Sequence, residues 1–536
     1  MGIPSYYRTL ITKIPHAIQR VAPTAVSALV VDMNCMIYHV LKEPKMLSIQ
    51  YPGNPGGAES KAWERKLQEE VCSYLTHIWR SAGAPLKVYV ALDGVVPYAK
   101  IKQQRFRRFK SASMATSVAT QAASTAIEAW DTNAITPGTE FMASMGSALK
   151  VAGSKHGWII SDTEEAGEGE HKVLRWLLST TLPEGPIVVY GLDADLILLC
   201  LLAGDKLGDK HSLFLLREAM AFGKMVRADE KSQVDLCFFK VACLYESLQR
   251  GKPWSRQQLY DYIFGMSFCG NDFLPTGLSL RIRDEGHSIL LAGLADLWSK
   301  KKNLVNFDLT SGSGIAMAIA KPNADGLKGF AKWISMQEER LIVQTIKRKM
   351  SARMGDSADD NLPIIEQAEQ PMVDCTAEGA GSRIYLKKSW KSTYNRLALG
   401  EDSVEQRRTR VADFWQGWCW ILDYYQGRPV DLEWVYPAGY PPTWSDLVQH
   451  FTLPSDSSMS EAKVPLKPQE QLALVLPMRS WNLLLKTPYR NLPATIPQFW
   501  PQGFHLETFG KRFGWECEPM IPMLTPGRLR YEMSKQ

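Results

Sequence analysis

In Ala28-Leu-Val-Val-Asp-Met-Asn34 four apolar residues run straight into a carboxylate. The run is too short for an independent helix and rich in Val, so it reads as a strand buried on both faces. The same texture recurs at Val88-Tyr-Val-Ala-Leu92, Trp158-Ile-Ile160, Ile187-Val-Val-Tyr190 and Leu213-Phe-Leu-Leu216. Between these runs lie longer helical patterns: Trp63–Ser81, Phe141–Ala152 and His171–Leu178. Strand–helix–strand alternation with nearly continuous apolar strands predicts an α/β fold, a mainly parallel sheet flanked by helices.

After about residue 230 the texture changes. Gln257–Phe268, Ser288–Leu304, Met336–Arg348 and Val411–Tyr425 read as helices, and no further buried strand is recognisable. The expectation is therefore two domains: an α/β domain over 1–235, and a mainly helical region over 236–536 packed on it and enclosing its site. Residues 354–382, rich in Asp, Glu, Ala and Gly, are expected to form a flexible loop. At 536 residues, 45% hydrophobic and 22% charged, the composition is that of a globular protein too large for one core. No apolar run reaches the roughly 18 residues of a membrane span, and Met1–Lys13 lacks the apolar stretch of a signal peptide. The nine cysteines form no CxxC or Cys/His cluster, so zinc is not expected and the thiols are read as reduced. An intracellular protein is expected, cytoplasmic in preference to nuclear, monomeric and without a membrane partner. Its protein partners are not legible.

The carboxylates decide the chemistry. Asp32 follows the first strand, Asp93 follows Val88–Leu92, Glu168 and Glu170 lie in the loop after Trp158–Ile160, and Asp193 and Asp195 follow Ile187–Tyr190. In a parallel sheet all these strand ends meet at one edge, where such folds bind ligands. A lone Asp after a strand is commonly a turn or helix N-cap residue. Four strand ends doing this together, two of them as paired acids, instead predict a hard divalent cation site, since like charges that close need compensation. Asp272, in Gly270-Asn-Asp-Phe-Leu-Pro275, is a weaker member that its turn-like surroundings explain locally.

Seven residues after Asp93 begins Lys100-Ile-Lys-Gln-Gln-Arg-Phe-Arg-Arg-Phe-Lys110, with six basic residues in eleven. On a helix, Lys100, Gln104, Arg107 and Arg108 share one face beside the acidic crevice, suited to phosphate oxygens. A metal cage beside a cationic face is the layout of phosphodiester cleavage.

With these residues in place, the chain resembles the XRN family of 5′-3′ exoribonucleases, whose core is related to flap endonucleases and PIN-like domains. The resemblance rests on Met1–Tyr7, Val31-Asp-Met-Asn34, Leu92–Pro97 with Ala99–Phe109, Ile135–Met142, Gly167-Glu-Gly-Glu-His-Lys172, Gly191-Leu-Asp-Ala-Asp-Leu196 and Gly270–Pro275, collinear over residues 1–280. Weaker similarity continues through Trp420–Tyr425, Trp434–Pro442, Leu476–Ser480 and Gly510–Trp515. It implies that Asp32, Asp93, Glu168, Glu170, Asp193, Asp195 and Asp272 bind Mg²⁺ or Mn²⁺, two ions in all, and carry catalysis. It also implies that Lys100, Gln104, Arg107, Arg108 and Asn34 hold a 5′-terminal monophosphate. Where the family commonly has a base-stacking His, this chain has Tyr38, followed by His39; Tyr38 and Trp434 are the candidate stacking platforms. The expected activity is Mg²⁺-dependent 5′-3′ degradation of 5′-monophosphorylated single-stranded RNA to mononucleotides. A structure-specific DNA or flap nuclease, or an inactive RNA-binding scaffold, stays open at this point.

Overall fold

A computed structural model describes residues 3, 6–121, 129–221, 224–225, 234–249, 251–308, 319–351, 368–375, 384–454 and 465–535; of 114–121, 220–221, 224–225, 308 and 375 only the backbone is described. The chain divides into two compact units. One comprises Leu10–Pro253, Val464–Pro501 and Pro522–Gln536; the other comprises Met1–Thr9, Trp254–Lys463 and Gln502–Ile521.

The first unit is built on a seven-stranded sheet: β1 (Ile18–Gln19), β2 (Ala28–Asp32), β3 (Lys87–Ala91), β4 (Ile159–Ser161), β5 (Ile187–Tyr190), β6 (Leu213–Glu218) and β7 (Leu236–Lys240), in the order β1-β7-β6-β5-β2-β3-β4. The five strands from β6 to β4 are parallel; β7 runs antiparallel to β6, and β1 to β7. All residues of β2 and β5 are buried, which is why Ala28–Val31 and Ile187–Val189 are uninterrupted aliphatic runs. The chain builds outward from β2 to β3 and β4, then returns to add β5 on the other side of β2. That reversal puts the switch point of the sheet between the carboxyl ends of β2 and β5, where Asp32 and the Asp193 loop emerge.

β7 corrects the expectation that no buried strand follows residue 230. Its five residues hold Cys237, Phe238 and Phe239 in the core, and they extend the sheet past the boundary expected at 235/236. The C-terminal pieces join this unit for a different reason. The guanidinium of Arg105, fully buried on the helix Tyr98–Gln121, donates to the carbonyls of Leu474 (2.8 Å), Phe499 and Pro522 (3.4 Å). Tyr98 Oη donates to Leu524 O (3.0 Å), and Val96 N to Gln471 Oε1 (2.9 Å). Backbone carbonyls of three C-terminal segments are thus satisfied by a charged side chain of the basic helix.

The second unit is mainly helical, with Arg256–Gly265, Gly286–Ser299, Ala324–Ser335, Glu338–Met350, Trp390–Leu399 and Val404–Tyr425 as its longer elements. Trp415, Trp418 and Trp420 of the last helix are fully buried. Phe268 stacks between Phe330 (5.1 Å) and Trp418 (5.9 Å). In the expected loop 354–382, the described residues 368–375 include a strand, Val373–Cys375, paired antiparallel with Ile384–Leu386; the remainder lies outside the described residues. Among the described residues no helix is long and apolar enough to cross a membrane.

Candidate active site

Six carboxylates gather at the carboxyl ends of four adjacent strands, β5, β2, β3 and β4: Asp32 closes β2, Glu170 lies in the first turn of the helix Gly169–Ser179, and the others stand in the segments between strand and helix. Glu168 and Asp195 occupy the N-cap positions of the helices Gly169–Ser179 and Leu196–Leu207, yet neither side chain accepts a capping hydrogen bond. Helix capping therefore does not account for them. Both helix N-termini instead add their partial positive charge to the crevice.

Glu170, Asp193 and Asp195 converge most closely, each offering a carboxylate oxygen within 4.8 Å of the others. Opposite oxygens around an octahedral Mg²⁺ lie about 4 Å apart, so the spacing suits shared ligation. Glu170 is buried and its Oε2 meets no hydrogen-bond donor. Burial, followed by the charge of Asp195, pushes its carboxyl well above the usual range; Glu168 and Asp193 add to this and Lys100 opposes it. Asp32 is raised likewise, by burial first and then by Asp93 and Asp193. A buried acidic group with an unanswered oxygen, raised by its neighbours, is what a resident cation would relieve, and the donor set of hard oxygens fits Mg²⁺ or Mn²⁺. His171 sits beside this group, within 4.8 Å of Glu168 and Glu170, and burial pushes its imidazole down to about 3.

Asp93 is fixed from two sides. Gly169 N donates to its Oδ1 (2.7 Å), and Asn34 Nδ2 donates to its Oδ2 (2.9 Å) while Asn34 Oδ1 accepts from Asp93 N (3.1 Å). Asn34, expected at the terminal phosphate, is thus engaged in orienting a carboxylate. Gly169 is glycine by necessity, because a Cβ there would collide with Asp32 Oδ1. Lys172 was missed as a contributor. Buried one turn into the same helix, its ammonium donates to Leu92 O (2.9 Å) and Asp162 O (2.7 Å), tying the end of β3 to the loop after β4. Burial pushes it down to about 8.

The basic helix is not the uniform cationic face expected. Lys100 Nζ lies 2.6 Å from Glu168 Oε2. Gln104 is buried, its Oε1 accepting from Gln471 Nε2 (3.4 Å), and Arg107 is exposed. Arg108 is buried with Nη1 meeting no acceptor. Burial pushes its guanidinium down to about 10, so it stays charged at neutral pH; Tyr38, Arg107 and Asp131 are its electrostatic neighbours. Tyr38 is half-buried against the core of the sheet.

Asp272 belongs to the second unit, in the turn after Met266–Cys269. Asn271 builds that turn, its Oδ1 accepting from Phe273 N (3.0 Å) and Leu274 N (2.9 Å), so the turn does not require the Asp272 carboxylate. Trp434 is corrected from platform to core: it is buried, stacked on Trp420 at 5.2 Å, and fills the space over Gly417.

Two family models match this chain: the XRN 5′-3′ exonuclease N-terminus over residues 1–219 and the Xrn1 helical domain over residues 376–536. 5′-3′ exoribonuclease 2 of Arabidopsis thaliana is 25% identical, the match covering 99% of this chain and 66% of the plant protein. 5′-3′ exoribonuclease 1 of Saccharomyces cerevisiae is 24% identical over 99% of this chain and 43% of its own length. 5′-3′ exoribonuclease 1 of Homo sapiens is 27% identical over 99% and 34%. The chain thus spans between about a third and two thirds of the length of these relatives.

Proposed function

The chain belongs to the XRN 5′-3′ exonuclease family, and on that footing we propose that it hydrolyses 5′-monophosphorylated single-stranded RNA from the 5′ end, releasing mononucleotides with two divalent cations, Mg²⁺ or Mn²⁺. The observation that carries the reading is the convergence of Glu170, Asp193 and Asp195 at the carboxyl edge of the sheet, with Asp32, Asp93 and Glu168 on the adjoining strand ends. These six acids would hold the cations. Bound there, the cations supply an activated water and stabilise the departing 3′ oxygen.

The remaining work falls to this chain's own side chains. Asn34 and Gly169 N hold the Asp93 carboxylate in one orientation. Lys172 fixes the two loops that carry Asp93 and Glu168. Arg108 is the principal ligand of the 5′ phosphate: a buried, charged guanidinium with an unanswered donor is best satisfied by an incoming anion. Arg107, Lys100 and Gln104 assist it, and Tyr38, within electrostatic reach of Arg108, stacks on the first base. Attack of water on the scissile phosphorus forms a P–O bond and breaks P–O3′, so the shortened strand again carries a 5′ phosphate. The product of one cycle is the ligand for the next.

The reading is tested with RNA labelled at its 3′ end and bearing 5′-monophosphate, 5′-triphosphate or 5′-hydroxyl, alongside DNA of the same sequence, with Mg²⁺ or EDTA. Mononucleotide release from the monophosphorylated RNA alone, abolished by EDTA, is expected. Internal fragments, or equal cleavage of DNA, would overturn it.

A further inference from the structure

At the carboxyl end of β6 stands a buried carboxyl that takes no part in the proposed hydrolysis. Glu218 closes that strand and is 3% exposed. It borders a core in which Val31, Tyr190 and Leu216 of the sheet pack with Ile37 of the helix Asn34–Val40 and Tyr74 of the helix Ala58–Ser81. Groups from three different elements converge on its Oε1. The hydroxyl of Tyr190, the last residue of β5, donates to it at 2.6 Å, and that of Tyr74 at 2.8 Å. His39 Nδ1, on the helix Asn34–Val40, lies 3.8 Å away, with its ring 4.6 Å from that of Tyr74 and its Nε2 2.9 Å from Glu43 Oε1. Burial, and then the charge of Glu218, pushes both phenols up, so both keep the protons they donate.

Packing does not ask for a carboxyl there. The core it borders is built of aliphatic and aromatic side chains, and Glu218 Oε2 is buried without a hydrogen-bond donor among the described residues. An unanswered buried acceptor is costly, and an apolar side chain would avoid that cost. What the carboxyl does supply is a tie beyond the end of the strand pairing. The last partners on either side of β5 are Val31 with Tyr190 and Tyr190 with Leu216, followed by a long bond from Gly191 N to Leu216 O (3.4 Å). Past that level, no strand pairing among the described residues joins the segment that carries Asp193 and Asp195 to the helix Asn34–Val40, which follows Asp32 and carries Asn34 and Tyr38. Glu218 stands two residues beyond Leu216, hence on the same face, and meets both sides: the first through Tyr190, the second through His39.

We infer that Glu218 is a positioning residue for the cation site: by gathering Tyr190 and His39 on one carboxyl oxygen, it sets the spacing between the Asp32 and Asp193 sides of the crevice. This rests on the reading of the acids as cation ligands and adds to it a group that touches neither cation nor RNA. Mg²⁺ tolerates little departure from octahedral geometry, so acids supplied by separate strand ends must be held in register, and the groups behind such ligands govern affinity. Tyr74 is the internal comparison. It makes the same bond to the same oxygen, but from a helix that carries none of the acids.

The test is Mn²⁺ binding to the full chain, followed by electron paramagnetic resonance, with Mg²⁺ titrations of RNA hydrolysis alongside. Tyr190→Phe and His39→Phe should each weaken Mn²⁺ binding about tenfold and raise the Mg²⁺ concentration for half-maximal hydrolysis to match. Tyr74→Phe should stay within about twofold of wild type on the same scale. Glu218→Gln, which keeps a carbonyl oxygen for the two hydroxyls, should recover most of the affinity that Glu218→Leu loses. A purely structural network would lower the denaturation midpoints of Tyr74→Phe and Tyr190→Phe alike and leave Mn²⁺ affinity of the folded chain unmoved. That result, or equal losses of affinity in the two variants, overturns the inference. If Glu218→Leu does not fold, the two tyrosine variants decide the matter. If the wild type binds Mn²⁺ and hydrolyses RNA and Tyr190→Phe matches it, only the role of Glu218 fails. If the wild type binds no Mn²⁺, the reading of the acids as cation ligands fails with it.

Discussion

The ammonium of Lys100 lies 2.6 Å from Glu168 Oε2, so a lysine expected to serve the terminal phosphate is paired with one of the acids expected to serve a cation. Both groups are almost fully buried, at 11% and 4% side-chain exposure, so the pair is poorly screened by water. A divalent cation drawing on Glu168 competes directly with Lys100. Lys100→Ala should therefore have two effects at once. The Mg²⁺ concentration for half-maximal hydrolysis should fall several-fold, and the preference for 5′-monophosphate over 5′-hydroxyl RNA should narrow. An Mg²⁺ titration of wild type and variant on both substrates checks this. A rise in the Mg²⁺ requirement would mean that Lys100 supports the cation site instead of competing with it.

Removing a carboxylate from the converging group tests the site itself. Asp193→Ala or Asp195→Ala should lower hydrolysis by a thousandfold or more, as a ligand of the activating cation is lost. RNA affinity in EDTA should be kept or improved, since each change removes negative charge facing a polyanion. Turnover near wild type at saturating Mg²⁺ would dismiss the assignment.

The site was legible where side-chain type and strand position coincide. An acid directly after an apolar run marks a carboxyl strand end wherever the strand lies, so Asp32, Asp93, Asp193 and Asp195 could be placed without knowing the strand order. What sequence cannot separate is residues of one type whose burial depends on distant chain. Arg105, Arg107 and Arg108 look alike in Lys100–Lys110, yet Arg105 is claimed by carbonyls at 474, 499 and 522, and Arg107 is exposed. Trp434 is one of 17 tryptophans, and only the approach of Gly417 shows that it fills core. β7 was missed because Leu236–Lys240 is a short run flanked by charged residues, and its burial is supplied by β6.

Arg108 and Arg107 separate a specific phosphate ligand from a general cationic surface. Arg108, buried with an unanswered donor, should matter far more. A charge-assisted hydrogen bond of that kind contributes about 1.5–3 kcal/mol, so Arg108→Ala should lower kcat/KM on monophosphorylated RNA roughly ten- to a hundredfold. On 5′-hydroxyl RNA the loss should be much smaller. Arg108→Lys should recover little, because an ammonium cannot reproduce the planar fork. Equal losses on the two 5′ ends would assign Arg108 to general electrostatics.

Arg105 carries a prediction about stability. Its removal leaves buried carbonyls without donors, and hydrogen bonds to a charged group are among the stronger ones, so Arg105→Ala should lower unfolding stability by about 3 kcal/mol or more. The loss should show in chemical denaturation and as earlier proteolysis within 464–536. A denaturation midpoint equal to wild type would mean that these segments are held by apolar packing alone.

Circular RNA tests how direction arises. A terminal monophosphate carries up to two negative charges and three non-bridging oxygens, whereas an internal phosphodiester carries one charge and two. Arg108 is buried, so reaching it desolvates the phosphate, and only the doubly charged end draws full compensation from a cluster that also includes Arg107 and Lys100. An internal phosphate must bring two ester-linked strands to the same buried guanidinium, with less charge to reward it. Single-stranded circles should therefore resist hydrolysis under conditions that degrade the monophosphorylated linear form to mononucleotides, and one nick that leaves a 5′ phosphate should make them substrates. Circles degraded at the linear rate would show that the cationic helix does not select the chain end, and an endonuclease acting through the same acids would then be the better account.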